Sequence, residues 1–212
     1  MQGVALLFAL LAPVRVAIAQ NGPRLEILLT GDLAAGQAGD PLVHAVDLLG
    51  DGRWIATLQE GLPVRLSYRL ELWRSKSAWF DELQRLVEWD VVVRWEPVLF
   101  EFSVRTITGS GMRERRYATR EALATALGAR YQIALRPTTE GTHYYVGSLT
   151  ISTLSDSDIQ ELERFLRGDS DENQPEDAGG VLGRRVTRLL LRLAGLPRLR
   201  LEARSPEFAG PE

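Results

Sequence analysis

The chain has 212 residues, a formal net charge of −3, no cysteine and 45% apolar residues. The apolar fraction excludes a wholly disordered chain, and the lack of cysteine excludes disulfides, thiol catalysis and thiolate metal sites. The small net charge excludes attraction to nucleic acid by the field of the whole protein.

Residues 1–19 predict a secretory signal peptide. They read MQGVALLFALLAPVRVAIA, with an apolar run at 4–12 and a small-residue A-x-A end at 17–19. Pro13 and Arg15 interrupt the run, well short of the ~20 apolar residues that a membrane anchor needs. We therefore expect cleavage after Ala19, export, and residence in the periplasm or cell envelope.

The first part of the mature chain combines strands with a short helix. Alternating apolar and polar residues predict a strand at 25–29. A second strand is expected at 42–49, with a helix opened by Asp40-Pro41 as the alternative. A helix with one apolar side is expected to begin at an Asp51 N-cap and to end before Gly61.

Three stretches with period-two alternation then predict an antiparallel meander at 64–72, 87–95 and 100–104. The alternation assigns Trp89 and Trp95 to the core and begins the third strand at Phe100. In the first strand we expect these side chains to divide between the two faces: Leu66, Tyr68 and Leu70 inward, and Arg65, Arg69 and Glu71 outward.

A second helix and two further strands complete the predicted domain. Thr119 is expected to cap the helix and Gly128 to end it. Residues 131–135 and 144–153 are predicted to pair with each other through a turn at 140–141.

The C-terminal part changes in character. A helix opened by Ser155 closes a β-rich domain at 20–168, an acidic linker follows at 169–178, and a basic amphipathic helix and tail occupy 179–212. Arg185, Arg188 and Arg192 lie beside its apolar stripe. The helix is expected to bind an anionic membrane surface, dock on an envelope partner, or cover its own domain. Deletion of 169–212 is expected to leave the domain folded.

Motifs for catalysis or cofactor binding are incomplete. A glycine-spaced loop at 31–38 has Gln37 and Ala38 where a phosphate-binding loop needs lysine and a hydroxyl. The acidic residues from Asp169 lack the turn glycine and twelfth-position acid of a calcium loop. His44 and His143 form no recognisable catalytic arrangement. We expect no cofactor, no metal and no enzymatic activity.

Aromatic side chains between the first two meander strands give the candidate interaction surface. Trp73 lies on the nominally polar face of its strand, and Trp79 and Phe80 follow in the connection. Exposed aromatics of this kind contact sugars, proteins or lipid headgroups. Alternatively, they fold back and close the open end of the core. Because the chain is expected to be exported, nucleic acid is not an expected partner.

Several short sequence signatures support a resemblance. These are Glu71-Leu72-Trp73-Arg74, Trp79-Phe80-Asp81, Glu88-Trp89-Asp90-Val91, Trp95-Glu96-Pro97 and Tyr117-Ala118-Thr119-Arg120-Glu121-Ala122. Over residues 24–167 the chain resembles a bacterial family of exported proteins, domain-of-unknown-function family 4390. The resemblance implies a β-rich envelope domain and supplies no activity, cofactor or functional residue.

The sequence therefore predicts an α+β, β-rich fold. An antiparallel meander is expected to form a sandwich-like or curved sheet with short helices, followed by the C-terminal amphipathic helix. The predicted function is a non-catalytic exported envelope interaction or accessory module. The alternative is a carrier of a small ligand or lipid, with an apolar pocket inside the sheet.

Overall fold

The computed structural model of the chain describes residues 22–33, 36–50, 52–77, 80–153 and 198–211. Within these ranges the protein consists of antiparallel β-sheets and two short helices, which confirms the predicted β-rich class. Several predicted features lie outside the described residues: the signal peptide at 1–19, Trp79, the helix opened by Ser155, the acidic linker at 169–178, and Arg185, Arg188 and Arg192.

In chain order the described elements are β1 (Arg24–Leu28), β2 (Gly31–Asp32), β3 (Gln37–Ala38), β4 (Leu42–Val46), α1 (Arg53–Gln59), β5 (Val64–Arg74), β6 (Glu82–Glu96), β7 (Glu101–Thr108), β8 (Gly111–Tyr117), α2 (Arg120–Leu127), β9 (Tyr131–Gln132), β10 (Thr142–Ser152), β11 (Leu199–Arg204) and β12 (Phe208–Ala209). Neither helix has the length and apolar content that a membrane crossing requires, a finding limited to the described ranges.

The largest sheet has the strand order β11-β10-β5-β6-β7-β8, and β12 also pairs with β10. The segment from β5 to β8 is an antiparallel meander, as predicted for its first three strands. A smaller sheet has the order β1-β4-β9, and β2 pairs with β3 in a two-stranded ribbon.

Period-two alternation determines which face of β5 is buried. Leu66, Tyr68 and Leu70 are each at most 2% exposed, whereas Arg65 and Arg69 project from the other face and are half-buried. The predicted division of side chains is therefore confirmed. We call the face that carries Leu66 the inner face of the large sheet, and the opposite one the outer face.

One hydrophobic core joins the two larger sheets and both helices. Gly147 on β10 allows close approach, because a Cβ atom there would lie only 3.0 Å from Cδ1 of Ile27 on β1. Trp89 is buried in this core, as predicted, and Trp95 is partly buried against it.

The helix ends agree largely with the sequence. The Thr119 hydroxyl accepts a 3.1 Å hydrogen bond from the Ala122 N–H and caps α2, and Gly128 ends that helix. Gly61, with φ of 84°, follows the last turn of α1 as a left-handed residue. The predicted Asp51 cap is wrong, because Gly52 occupies the N-cap and its carbonyl accepts the Ala56 N–H at 3.0 Å.

Two details of strand assignment also need correction. The predicted pair 131–135 with 144–153 does not form, because β9 pairs with β4 of the smaller sheet while β10 pairs with β5. Phe100 does not begin β7: it lies in the preceding turn with φ of 54° and is 73% exposed.

Residues near the C-terminus contribute to the large sheet and to the core. Residues 199–204, assigned by sequence to a tail outside the domain, form β11 and pair with β10 along six residues. Phe208 is 5% exposed and belongs to the core. Its alternation (Leu199, Leu201 and Ala203 against charged residues) lies within an arginine-rich region, which hides the strand pattern in the sequence.

Candidate functional site

Charged side chains on the outer face of the sheet neutralise one another. Arg65 forms a bidentate ion pair with Asp90, with 3.1 Å from Nε to Oδ1 and 2.7 Å from Nη2 to Oδ2. Arg69 contacts Glu71 at 2.5 Å and Glu88 at 3.0 Å. A cleft of about 710 Å³ lies over these residues. Because its charges are paired, the cleft gives little attraction to a charged ligand.

The pKa of the Asp90 carboxylate reports how strongly its ion pair with Arg65 contributes to stability. Burial raises the pKa of Asp90, but the hydrogen bonds from Arg65 and from the Ser67 hydroxyl outweigh burial, so that the net pKa is lowered. A carboxyl whose pKa is lower in the folded state stabilises the protein above its unfolded pKa, and this stabilisation is lost as the pH falls through the folded value.

We expect the stability difference between the wild type and Asp90→Asn to shrink as the pH falls below about 4. Urea titrations at several pH values between 7 and 2.5 measure the free energy of unfolding of both proteins. A difference that stays constant over this range would show that the ionised carboxylate contributes nothing.

Two rows of side chains cross the outer face near the β5–β6 connection. One row contains Trp73, with Tyr144 and Leu83 as its register partners on the neighbouring strands. The adjacent row leads from Arg204 on β11 through β10 and β5 to Leu86 on β6. We call Trp73, Tyr144, Leu83, Leu86 and Arg204 the aromatic platform.

Stacking and hydrogen bonds hold the platform in place. The Trp73 and Tyr144 rings are nearly parallel, with centroids 6.5 Å apart, and the Arg204 guanidinium lies 3.7 Å from the centroid of Tyr144. The indole N–H of Trp73 donates to Glu71 at 2.8 Å, and the Tyr144 hydroxyl donates to Asp81 at 2.7 Å. That hydrogen bond, with one from a backbone N–H, lowers the pKa of Asp81. Each polar tip of the two rings is therefore paired.

The platform has an exposed apolar side. Leu83 and Leu86 are 40% and 43% exposed, and Phe80, just before β6, is 86% exposed. A β-bulge causes this arrangement: the register shifts after Leu72, so that Leu83 as well as Leu86 lies on the outer face. The bulge therefore places two exposed leucines beside Trp73 on the outer face.

Two of the three predicted surface aromatics lie within the described residues. Trp73 lies on the outer face, and Phe80 is exposed beside the start of β6, so neither closes the core. Sequence reasoning missed Tyr144 and Arg204, because their proximity to Trp73 depends on the pairing of β10 with both β5 and β11.

A second exposed apolar segment lies at the opposite end of β6. Val98, Leu99 and Phe100 in the β6–β7 turn are between 52% and 88% exposed. The Phe100 ring makes an edge contact with Trp95, with 6.4 Å between centroids. This turn offers three apolar side chains with one ring contact, whereas the platform combines stacked rings, a guanidinium and hydrogen bonds to both ring tips, so the platform is the better-built surface.

The described interior contains no large cavity and few titratable side chains. An apolar cavity between α1, α2 and the sheet has a volume of about 10 Å³, far below the ~300 Å³ typical of a ligand pocket. His143 is fully buried, and burial lowers its pKa, while His44 lies in the other sheet beside Glu26 at 3.0 Å. In the described ranges no three His, Cys, Asp or Glu residues converge on a possible metal site.

The chain matches no protein-family model, and comparison with curated proteins and with solved structures finds no similar chain. The resemblance to family 4390 stays a prediction.

Proposed function

We propose that the protein is a non-catalytic module of the cell envelope that binds a protein partner through the aromatic platform. One observation carries this proposal. Leu83 and Leu86 are both more than a third exposed and lie beside Trp73, with the paired charges of Arg69, Glu71 and Glu88 next to them on the outer face. Exposed apolar groups that are clustered in this way and rimmed by polar residues are typical of interaction sites.

The composition of the platform supports a protein partner. Tryptophan, tyrosine and arginine are the residues most enriched among side chains that dominate binding energy at protein interfaces. Trp73, Tyr144 and Arg204 are already stacked on one another, so binding costs little side-chain ordering. The paired charges of Arg69 and Glu88 supply a polar rim that needs no further counter-ion.

The proposal includes a sandwich-like fold and a location outside the cytoplasm. The smaller sheet and the helices share a core with the inner face, which supports a sandwich-like arrangement with the partner on the outer face. Export to the periplasm or envelope follows from the signal-peptide pattern at 1–19. A separate prediction is that the basic segment around Arg185, Arg188 and Arg192 docks on an anionic membrane.

A double substitution tests the platform. We expect Leu83→Ser with Leu86→Ser to reduce capture of an envelope partner by about tenfold or more, since apolar contact area at the centre of an interface is lost. Immobilised full-length protein is incubated with an envelope fraction, and the captured partner is quantified. The unfolding midpoint should change little, because both leucines are partly exposed.

Ile107→Ser is the matched control. Ile107 is 38% exposed and lies on the same outer face, opposite Asp90 and away from the platform. We expect this variant to capture as much partner as the wild type. The proposal fails if the double variant also retains wild-type capture.

A further inference from the structure

A groove of about 620 Å³ lies on the inner face of the β7–β8 hairpin, next to the C-terminal end of α2. The pairing of β6, β7 and β8 shows that the inner face of the sheet changes from apolar to basic toward β8. Val93 and Val104 are followed across the strands by Arg115, and Val91 and Thr106 by Arg113. The rows of side chains that form the core thus end in two arginines, and Arg130 faces the same groove.

The groove has an excess of positive charge. On the outer face of β8, Glu114 contacts Arg105 at 2.9 Å and Arg116 at 3.8 Å. By contrast, the arginines at 113, 115 and 130 form no ion pair or hydrogen bond with any residue that the structure describes. The described lining of the groove contains no acidic side chain. Three guanidinium groups in one groove repel one another, and an anion would remove that repulsion.

Two tyrosines add hydroxyl donors and a rigid wall. Tyr117 and Tyr131 both line the groove. The Tyr131 ring is held by contacts with Tyr68 and Trp89, at centroid distances of 5.5 and 5.7 Å. Behind it, the Tyr68 hydroxyl and the Trp89 indole N–H are buried without a hydrogen-bond partner among the described residues. Burial raises the pKa of Tyr131, so its hydroxyl stays protonated and can donate.

We propose that this groove binds a phosphate-bearing ligand. Arginine stays charged at every physiological pH, and its planar fork donates two hydrogen bonds to neighbouring phosphate oxygens. A phosphate monoester carries about −1.5 to −2 charges at pH 7 and three acceptor oxygens. A carboxylate has one charge and two oxygens, so it matches three arginines and two hydroxyls less well. The phosphate belongs either to a soluble compound or to a lipid headgroup.

Adjacent arginines on β8 provide the test. Arg115→Gln removes a charge from the groove, whereas Arg116→Gln removes the same charge from the opposite face of the strand. Titration calorimetry of the full-length protein with inorganic phosphate, in chloride buffer of constant ionic strength, measures binding. We expect Arg115→Gln to weaken the affinity by about tenfold or more and Arg116→Gln to leave it unchanged.

A second probe distinguishes the two sources. Co-sedimentation with phosphatidylcholine vesicles, with and without phosphatidic acid, whose headgroup is a phosphate monoester, reports binding to a headgroup. If Arg115→Gln loses vesicle binding while Arg116→Gln keeps it, the site binds a lipid headgroup. If Arg115→Gln weakens only the binding of inorganic phosphate, the site binds a soluble compound. The proposal is overturned if the wild type binds neither probe, or if the two substitutions weaken binding equally.

Discussion

A chain that stops at residue 197 is expected to have no cooperative unfolding transition. It lacks β11, which supplies six register partners to β10, and it lacks the Phe208 side chain from the core. It also loses the Ser205 hydroxyl, which accepts a 2.9 Å hydrogen bond from the buried Tyr145 N–H. Removal of a buried phenylalanine alone costs about 3–5 kcal/mol, and the whole domain is stable by only about 5–15 kcal/mol.

Two single variants separate this result from a general effect of truncation. Phe208→Ala should lower the free energy of unfolding by about 3–5 kcal/mol in urea titration. Arg200→Ala should change it by less than about 0.5 kcal/mol, because that side chain is 65% exposed. A truncated chain that unfolds cooperatively at the wild-type midpoint would show that the C-terminal strands are dispensable, as the sequence predicts for deletion of 169–212.

Leu70→Ala is expected to lower the free energy of unfolding by about 2–5 kcal/mol. Leu70 has no exposed surface and lies at the centre of β5, the strand that joins the two halves of the large sheet. Close packing leaves neighbouring side chains little freedom to fill the space, so the substitution loses apolar burial and creates a cavity.

Arg69→Ala is the neighbouring control on the opposite face. Its ion pairs with Glu71 and Glu88 are partly solvent-exposed, so the expected cost is about 0–1 kcal/mol. Guanidinium titrations of both variants give the two values. Similar losses for Leu70→Ala and Arg69→Ala would contradict the assignment of inner and outer faces.

Local sequence patterns predict much of the fold because they report local physics. Alternation in β5 reflects one buried and one hydrated face, and the Thr119 cap reflects an unpaired backbone N–H that needs an acceptor. β8 has no such pattern, since GMRERRY places arginine on both faces. β8 forms because it pairs with β7, and the strand propensities of its own residues do not predict this pairing.

Pairing between distant segments is the part that the sequence leaves open. Residues 131–132 and 142–152 are close in sequence, which favoured a hairpin, yet each pairs with a strand about 70 residues or more earlier in the chain. The same limit applies to the platform. Trp73 and Phe80 were predictable as aromatics outside the apolar stripe, but Tyr144 and Arg204 join Trp73 only through the order β11-β10-β5.

Site-specific photo-crosslinking tests most directly whether the platform binds a protein partner. A photoreactive amino acid replaces Leu83 in the full-length protein, and the same residue replaces Ile107, which is 38% exposed on the same face, opposite Asp90 and away from the platform. Irradiation of intact cells should give a discrete protein adduct from position 83 and none from position 107. No adduct at position 83, or the same adduct at both positions, would contradict the proposed function.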